Sequence, residues 1–82
     1  MRIVWDEPKR LANIDKHKFD FAVLTEEWFD DVTFFPARGR RLKAIGWLEN
    51  KIVAVIFQPL GTEAISIISF RPAKAKERGH IQ

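Results

Sequence analysis

The sequence predicts an α+β fold in which two N-terminal helices pack on a small antiparallel sheet. We expect that sheet to be a three-strand meander with a further strand at the N-terminus, followed by a short C-terminal helix. The length of 82 residues leaves room for one hydrophobic core. Apolar residues recur at helical spacing up to residue 29, whereas from residue 41 they alternate or form short runs, as strands do.

The first thirty residues contain a short strand and two helical patterns. Residues 2–5 are strand-like, and Asp6 is placed to cap a helix that has Pro8 in its first turn and ends near His17. Asp20 is placed to cap a second helix that runs to about Phe29. Its Phe21, Leu24 and Trp28 share one face, so we expect that face to be buried.

The second half predicts the meander, with strands over 41–48, 52–58 and 64–70. Residues 49–51 read as the first turn, and residues 59–61, which contain Pro59 and Gly61, read as a three-residue hairpin loop. Residues 73–80 predict one or two turns of basic helix bounded by Pro72 and Gly79.

The composition excludes several classes of protein. There is no cysteine, so disulfide and cysteine–zinc scaffolds are excluded. An apolar content of 46% with seven Phe is too high for a disordered chain. The longest apolar run, Ile52 to Phe57, is far shorter than the roughly 18–20 residues of a membrane span. We therefore expect a cytoplasmic domain with no membrane association.

The formal net charge of +3 conceals two halves of opposite sign. Residues 1–35 carry five Lys/Arg and eight Asp/Glu, a net charge of −3, whereas residues 36–82 carry nine and three, a net charge of +6. Five acids and no base lie between residues 20 and 31. A basic half attracts polyanions such as RNA and an acidic face suits a basic protein partner, although both are also ordinary solvated surfaces.

The side chains available favour RNA cleavage by 2′-hydroxyl attack over other catalysis. Two histidines and no cysteine make a metal site improbable, no glycine-rich nucleotide motif is present, and Ser66 and Ser69 lack a nucleophile elbow. We therefore expect neither metal nor cofactor. Attack by the 2′-hydroxyl needs a proton acceptor, a cation for the phosphate and a proton donor.

Several residues are candidates for these tasks. Arg71 and Lys51 can supply cations, while His17, Glu77 or Glu49 can transfer protons. Each has a structural alternative, since His17 can bind the last carbonyls of its helix and Glu77 can pair with Lys74 or cap a helix. The catalytic candidates are Arg71, Lys51, Glu77, His17 and Arg41, and the nucleic-acid-binding candidates are Arg38, Arg40, Lys43, Lys74, Lys76 and Arg78.

The meander predicts two separate basic clusters. One would contain Lys51 and Arg71, and the other would contain Arg40, Arg41 and Lys43 near Glu63. Seven residues of strand separate the two ends of the sheet by roughly 20 Å. Arg41 and Arg71 are therefore not expected to bind the same phosphate.

The order of the motifs resembles a known family. Trp5-Asp6-x-x-Lys9-x-x-x-Asn13-x-x-Lys16-His17, Phe21 and Asp30-Asp31 are followed by Arg41-x-x-x-Ile45-Gly46, Ile67-Ile68-Ser69-x-Arg71-x-Ala73 and Glu77-Arg78. This pattern is similar to that of the BrnT-type toxins of bacterial type II toxin–antitoxin systems, and it covers nearly the whole chain, so residues 1–82 are expected to form one toxin-like domain.

The resemblance implies a RelE-like fold, a ribonuclease that arrests translation and a BrnA-like ribbon-helix-helix antitoxin that neutralises it in a hetero-oligomer. The chain departs from the usual family pattern at Arg40, Ser66 and Ile81, where Glu, Arg and Tyr are usual. These departures motivate the alternative of a non-catalytic module that binds an antitoxin or RNA.

Overall fold

Five strands form a single mixed sheet in the computed structural model, which describes residues 1–81. The strands are β1 (Arg2–Trp5), β2 (Thr33–Pro36), β3 (Leu42–Leu48), β4 (Lys51–Leu60) and β5 (Ala64–Pro72). Their order across the sheet is β1-β5-β4-β3-β2. β1 pairs with β5 in parallel, and the other three pairings are antiparallel.

The three α-helices are short. They are α1 (Glu7–His17), α2 (Glu26–Asp30) and α3 (Ala75–Arg78), and a single 3₁₀ turn, Phe21–Val23, lies between the first two. Among residues 1–81, no helix is long and apolar enough to cross a membrane.

The prediction of two N-terminal helices on a three-strand antiparallel sheet is wrong. The second helix is divided, because Thr25 is extended and its hydroxyl accepts a hydrogen bond from the Trp28 N–H, which starts α2 anew. Asp20 caps only the 3₁₀ turn, through the Ala22 N–H. β2 was not predicted at all, because its four residues end in a proline and three of them are exposed.

The sheet is covered unequally on its two faces. One face, here called the Phe57 face, carries Phe57, Val55 and Ala44 and packs against Phe21 and Phe29. The other, here called the Arg71 face, carries Arg71 and a smaller apolar cluster of Ile45, Ile52, Ala54 and Ala73. α3 and the residues after it cover only part of the Arg71 face, so polar side chains are accessible there.

A side chain of α1 replaces a strand at the edge of the sheet. β1 pairs with β5 only as far as Ile67, which leaves the edge of β5 without a strand at Phe70. The Asn13 carboxamide donates to the Phe70 carbonyl at 2.8 Å and accepts from the Phe70 N–H at 3.1 Å. It also donates to the Phe19 carbonyl. Asn13 thereby fixes α1, and with it His17, beside the end of β5 that carries Arg71.

Candidate active site

The Glu77 carboxylate binds two cations from different strands. Arg71 Nη1 lies 2.7 Å from Glu77 Oε1, and Arg71 Nη2 lies 3.0 Å from Oε2. Lys43 Nζ lies 2.8 Å from Oε2. The Lys74 N–H donates to Oε1 at 2.8 Å, so the same carboxylate caps α3. The Glu77 side chain is only 8% exposed, against 17% for Arg71 and 25% for Lys43, so the two cations remain in reach of a ligand.

This arrangement determines what Glu77 can do. Hydrogen bonds from Arg71, and then from Lys43 and the Lys74 backbone, hold the pKa of Glu77 far below its ordinary value although burial acts in the opposite direction. The carboxylate is therefore ionised at any pH near neutrality and cannot donate a proton there. Its effect is to fix the position of the two cations.

His17 ends α1 close to Arg71. Partial burial lowers the pKa of His17, and the positive charges of Lys16 and Arg71 lower it further. The imidazole is therefore neutral at pH 7, which is the form that accepts a proton. His17 also lines a hollow with Ser69, which precedes Arg71 by two residues on the same face of β5, so a neutral imidazole lies within electrostatic range of the fixed guanidinium.

Two lysines that sequence reasoning missed lie next to this pair. Lys9 and Lys16 are exposed, and with His17 and Ser69 they line a hollow of ≈190 Å³. The spacing of seven residues on one helix was the signal that could have identified them, because it places both on the side of α1 that carries Asn13.

Lys51 is not part of this site. It begins β4, and side chains alternate along a strand, so Lys51 shares the Phe57 face with Val53, whereas Ala54 pairs with Arg71 on the other. Its ammonium lies 5.7 Å from the centre of the Phe19 ring. The predicted cluster of Lys51 with Arg71 is therefore not formed.

The second predicted basic cluster, of Arg40, Arg41 and Lys43, is separated into two parts. Lys43 reaches Glu77 and so joins Arg71, while the arginines at 38, 40 and 41 are exposed in the loop between β2 and β3. Arg71 pairs with Ala54, and Ala54 pairs with Ile45, four residues after Arg41. Arg41 is thus two strands away from Arg71 across the sheet and four residues away along it, which places their Cα atoms roughly 16 Å apart.

The remaining basic candidates lie on or next to α3. Lys74 and Lys76 are exposed, and Lys76 lines a hollow of ≈340 Å³ with Lys43, Glu77 and His80. Arg78 donates to the Ala73 carbonyl at 2.8 Å, a contact that holds the end of α3 to the strand before it. Positive charge therefore continues from Arg71 along α3.

The molecule has another, larger hollow that does not suit RNA. It measures ≈440 Å³ and lies beside Trp28 and Trp47, with the carboxylates of Glu27 and Asp31 at its border. Carboxylates repel phosphate groups. Within residues 1–81, no group of three or more His, Asp and Glu side chains is placed to hold a metal ion.

Comparisons with known proteins identify the family of this chain. Residues 5–77 match the family model described as the ribonuclease toxin BrnT of type II toxin–antitoxin systems. The fold is also similar to the crystal structure of the Brucella abortus ribonuclease toxin BrnT, with 52% sequence identity and a TM-score of 0.85 over 90% of this chain and 97% of that chain. Among curated protein sequences, none matches.

The fold and the family match place this protein among the toxins of type II toxin–antitoxin systems. The chain belongs to the BrnT family of ribonuclease toxins. Membership implies an RNA target and an antitoxin partner.

Proposed function

We propose that this chain is an endoribonuclease toxin that cleaves RNA without a metal ion, by attack of a 2′-hydroxyl on the adjacent phosphate. The observation that carries the proposal is that His17 shares a hollow with Ser69 at the end of β5 that carries Arg71, whose guanidinium is fixed by Glu77. A base of lowered pKa next to a fixed cation is the pair that this reaction requires.

In this reaction His17 accepts the proton of the 2′-hydroxyl as the 2′-oxygen bonds to phosphorus. The bond from phosphorus to the 5′-oxygen breaks, the leaving oxygen takes a proton from water, and the resulting hydroxide takes the proton held by His17. The products are a 2′,3′-cyclic phosphate and a 5′-hydroxyl. Arg71 stabilises the charge that develops on the phosphate oxygens, and Glu77 acts as a positioning residue for it.

Exposed cations on either side of this pair support RNA binding. Lys9 and Lys16 lie on the α1 side, and Lys74 and Lys76 lie on the α3 side. The arginine loop between β2 and β3 extends the positive surface with Arg38, Arg40 and Arg41. Binding through phosphates predicts an affinity that falls steeply with salt concentration.

We further propose that the toxin acts in the cytoplasm, where it arrests translation, and that a BrnA-like ribbon-helix-helix antitoxin neutralises it in a hetero-oligomer. Family membership supports an antitoxin, and the acidic residues of α2 offer it a surface that RNA does not favour.

The test is cleavage of RNA in EDTA by the wild type and two matched histidine variants. His17→Gln should lower kcat by about 100-fold or more, the usual contribution of a general base. His80→Gln changes an exposed histidine that borders the hollow beside α3 and not the hollow of His17, so it should lower kcat far less than His17→Gln. Intact RNA after incubation with folded wild type would overturn the catalytic proposal, and binding without cleavage would indicate a non-catalytic RNA-binding module.

A further inference from the structure

A continuous apolar strip crosses the sheet on the Phe57 face, away from Arg71. It takes one residue from each of four neighbouring strands, one from α2 and the N-terminal methionine that precedes β1. Together these side chains surround a hollow of ≈260 Å³ lined only by apolar residues, namely Met1, Ile65, Phe57, Leu42, Phe34 and Phe29. The strip runs across the whole sheet, whose five strands at a spacing of about 4.8 Å give it a length of roughly 19 Å.

The strip has a buried floor and exposed ends. Phe57 and Phe29 are 3% and 5% exposed and belong to the core, whereas Met1 and Phe34 are 47% and 49% exposed. Large apolar side chains that are half exposed in a row, over a concave apolar floor, are typical of a surface that another molecule covers. α2 borders the strip through Phe29, yet Met1 and Phe34 stay half exposed, so no segment among residues 1–81 covers the strip.

The border of the strip on the helical side is acidic. Glu26 lies three residues before Phe29, on the same side of α2, and its carboxylate oxygens lie 3.3 Å from the Met1 ammonium group. Asp30 follows Phe29 and is exposed. The Met1 ammonium group offsets the charge of Glu26, and no Lys or Arg between residues 20 and 31 adds positive charge beside Asp30.

We propose that the apolar strip is the docking site of the antitoxin, and that it receives a segment whose apolar side chains are flanked by Lys or Arg. The inference rests on the proposed function, which supplies a protein partner. The apolar floor offers no phosphate contact and the acidic border repels RNA. A second copy of this chain placed on the strip would bring two acidic α2 helices together, which like charges disfavour.

Two kinds of variant test the strip and its border. Phe34→Ser removes a half-exposed ring at the edge of the sheet, and Leu11→Ser is the matched control on α1, where the side chain is 54% exposed. Glu26→Gln with Asp30→Asn removes the acidic border, and Asp15→Asn with Glu63→Gln is its control at exposed positions. The probe is the antitoxin encoded beside this chain's own gene, and its Kd is measured at two salt concentrations.

We expect Phe34→Ser to weaken antitoxin binding about tenfold or more, as the loss of an interface anchor does. The double acidic variant should bind several-fold more weakly and lose much of its salt dependence, even if Phe34→Ser should fail to fold. RNA cleavage by every folded variant should equal that of the wild type, because the strip lies on the opposite face from Arg71.

The other possible results of these binding and cleavage measurements each contradict one part of the proposal. Wild-type affinity in both the Phe34 and the acidic variants would overturn the docking site while leaving the proposed function intact. A wild type that does not bind the adjacent gene product would overturn the docking site and the antitoxin proposal together. The cleavage assay would still report separately on the ribonuclease proposal.

Discussion

Arg71 and Glu77 meet edge to edge, with two parallel hydrogen bonds of 2.7 Å and 3.0 Å between guanidinium and carboxylate. Paired bonds of this kind fix the plane of the guanidinium as well as its position. Arg71 uses Nη1 and Nη2 for the pair, and Nη1 also lies 3.3 Å from the Pro72 carbonyl. The Nε–H and the second N–H of Nη2 remain available to a phosphate.

We expect Glu77→Gln to destabilise the fold and to impair catalysis. A neutral amide cannot balance Arg71 and Lys43, and breaking a mostly buried ion pair costs about 3 kcal/mol. With Arg71 released, kcat should fall about tenfold or more, since small misplacements of a positioned group are costly. Urea denaturation and RNA cleavage measure the two effects, and Glu27→Gln is an exposed control from α2. Stability equal to the wild type would contradict the structural role of Glu77.

The contribution of Glu77 to the free energy of unfolding should decrease as the pH falls. Its folded-state pKa lies far below the ordinary value of 4.5, so the unfolded chain takes up the proton first as the pH falls. The contribution is complete above pH 4.5 and declines below it. The difference in unfolding free energy between wild type and Glu77→Gln should therefore be constant from pH 7 to about pH 5 and narrow towards pH 3. If the difference in unfolding free energy increased as the pH fell, the result would contradict the ion pairs that Glu77 forms with Arg71 and Lys43.

The catalytic activity should decrease at acidic pH because His17 becomes protonated. Burial and neighbouring cations place its pKa below 6.5, so the imidazole loses its ability to accept a proton only below that value. We expect kcat/KM to be constant near pH 8 and to fall with unit slope on acidification, with a midpoint below pH 6.5, because kcat/KM reports groups of the free enzyme. His80→Gln should retain this decrease. If His17→Gln still showed the decrease in kcat/KM at acidic pH, the titrating group would be a residue other than His17.

Much of the central sheet could be predicted from the sequence, because apolar residues alternate or form continuous runs along β3, β4 and β5, which are seven to ten residues long. β2 has only four residues and obtains its regular structure by pairing with β3, from Thr33 opposite Ile45 to Pro36 opposite Leu42. Short edge strands of this kind are determined by their neighbour rather than by their own pattern.

Each member of the cluster around Glu77 could be proposed from the sequence, but which of them lie together could not. Arg71, Glu77, His17 and Lys43 were all named from charge and spacing. Lys43 and Glu77 are 34 residues apart and meet because the chain turns after Pro72 and brings α3 back over the Arg71 face. The predicted position of Lys51 failed for a related reason, since a residue's face depends on the strand register, which sequence alone leaves open.

We expect Asn13 to be essential to the edge of β5. Asn13→Asp retains an acceptor for the Phe70 N–H but cannot donate to the carbonyls of Phe70 and Phe19. An unsatisfied buried pair of this kind costs about 2–3 kcal/mol. Asn50→Asp, in the exposed turn between β3 and β4, is the matched control. Hydrogen exchange at the Phe70 amide should accelerate in Asn13→Asp alone, and unchanged protection there would show that this edge does not depend on Asn13.

Gly46 lies in β3 directly under Val32. A Cβ atom at Gly46 would lie 2.5 Å from Val32 Cγ1 and 3.1 Å from Val32 Cβ, so alanine cannot enter without displacing the segment that joins α2 to β2. Gly46→Ala should destabilise the fold by about 1–3 kcal/mol, the usual cost of overpacking. Val32→Ala removes the closer of the two atoms, and the double variant should therefore be more stable than Gly46→Ala. Urea denaturation of the two single variants and the double variant measures this coupling. Strictly additive free energies would mean that the close contact of Val32 is not the reason for a glycine at this position.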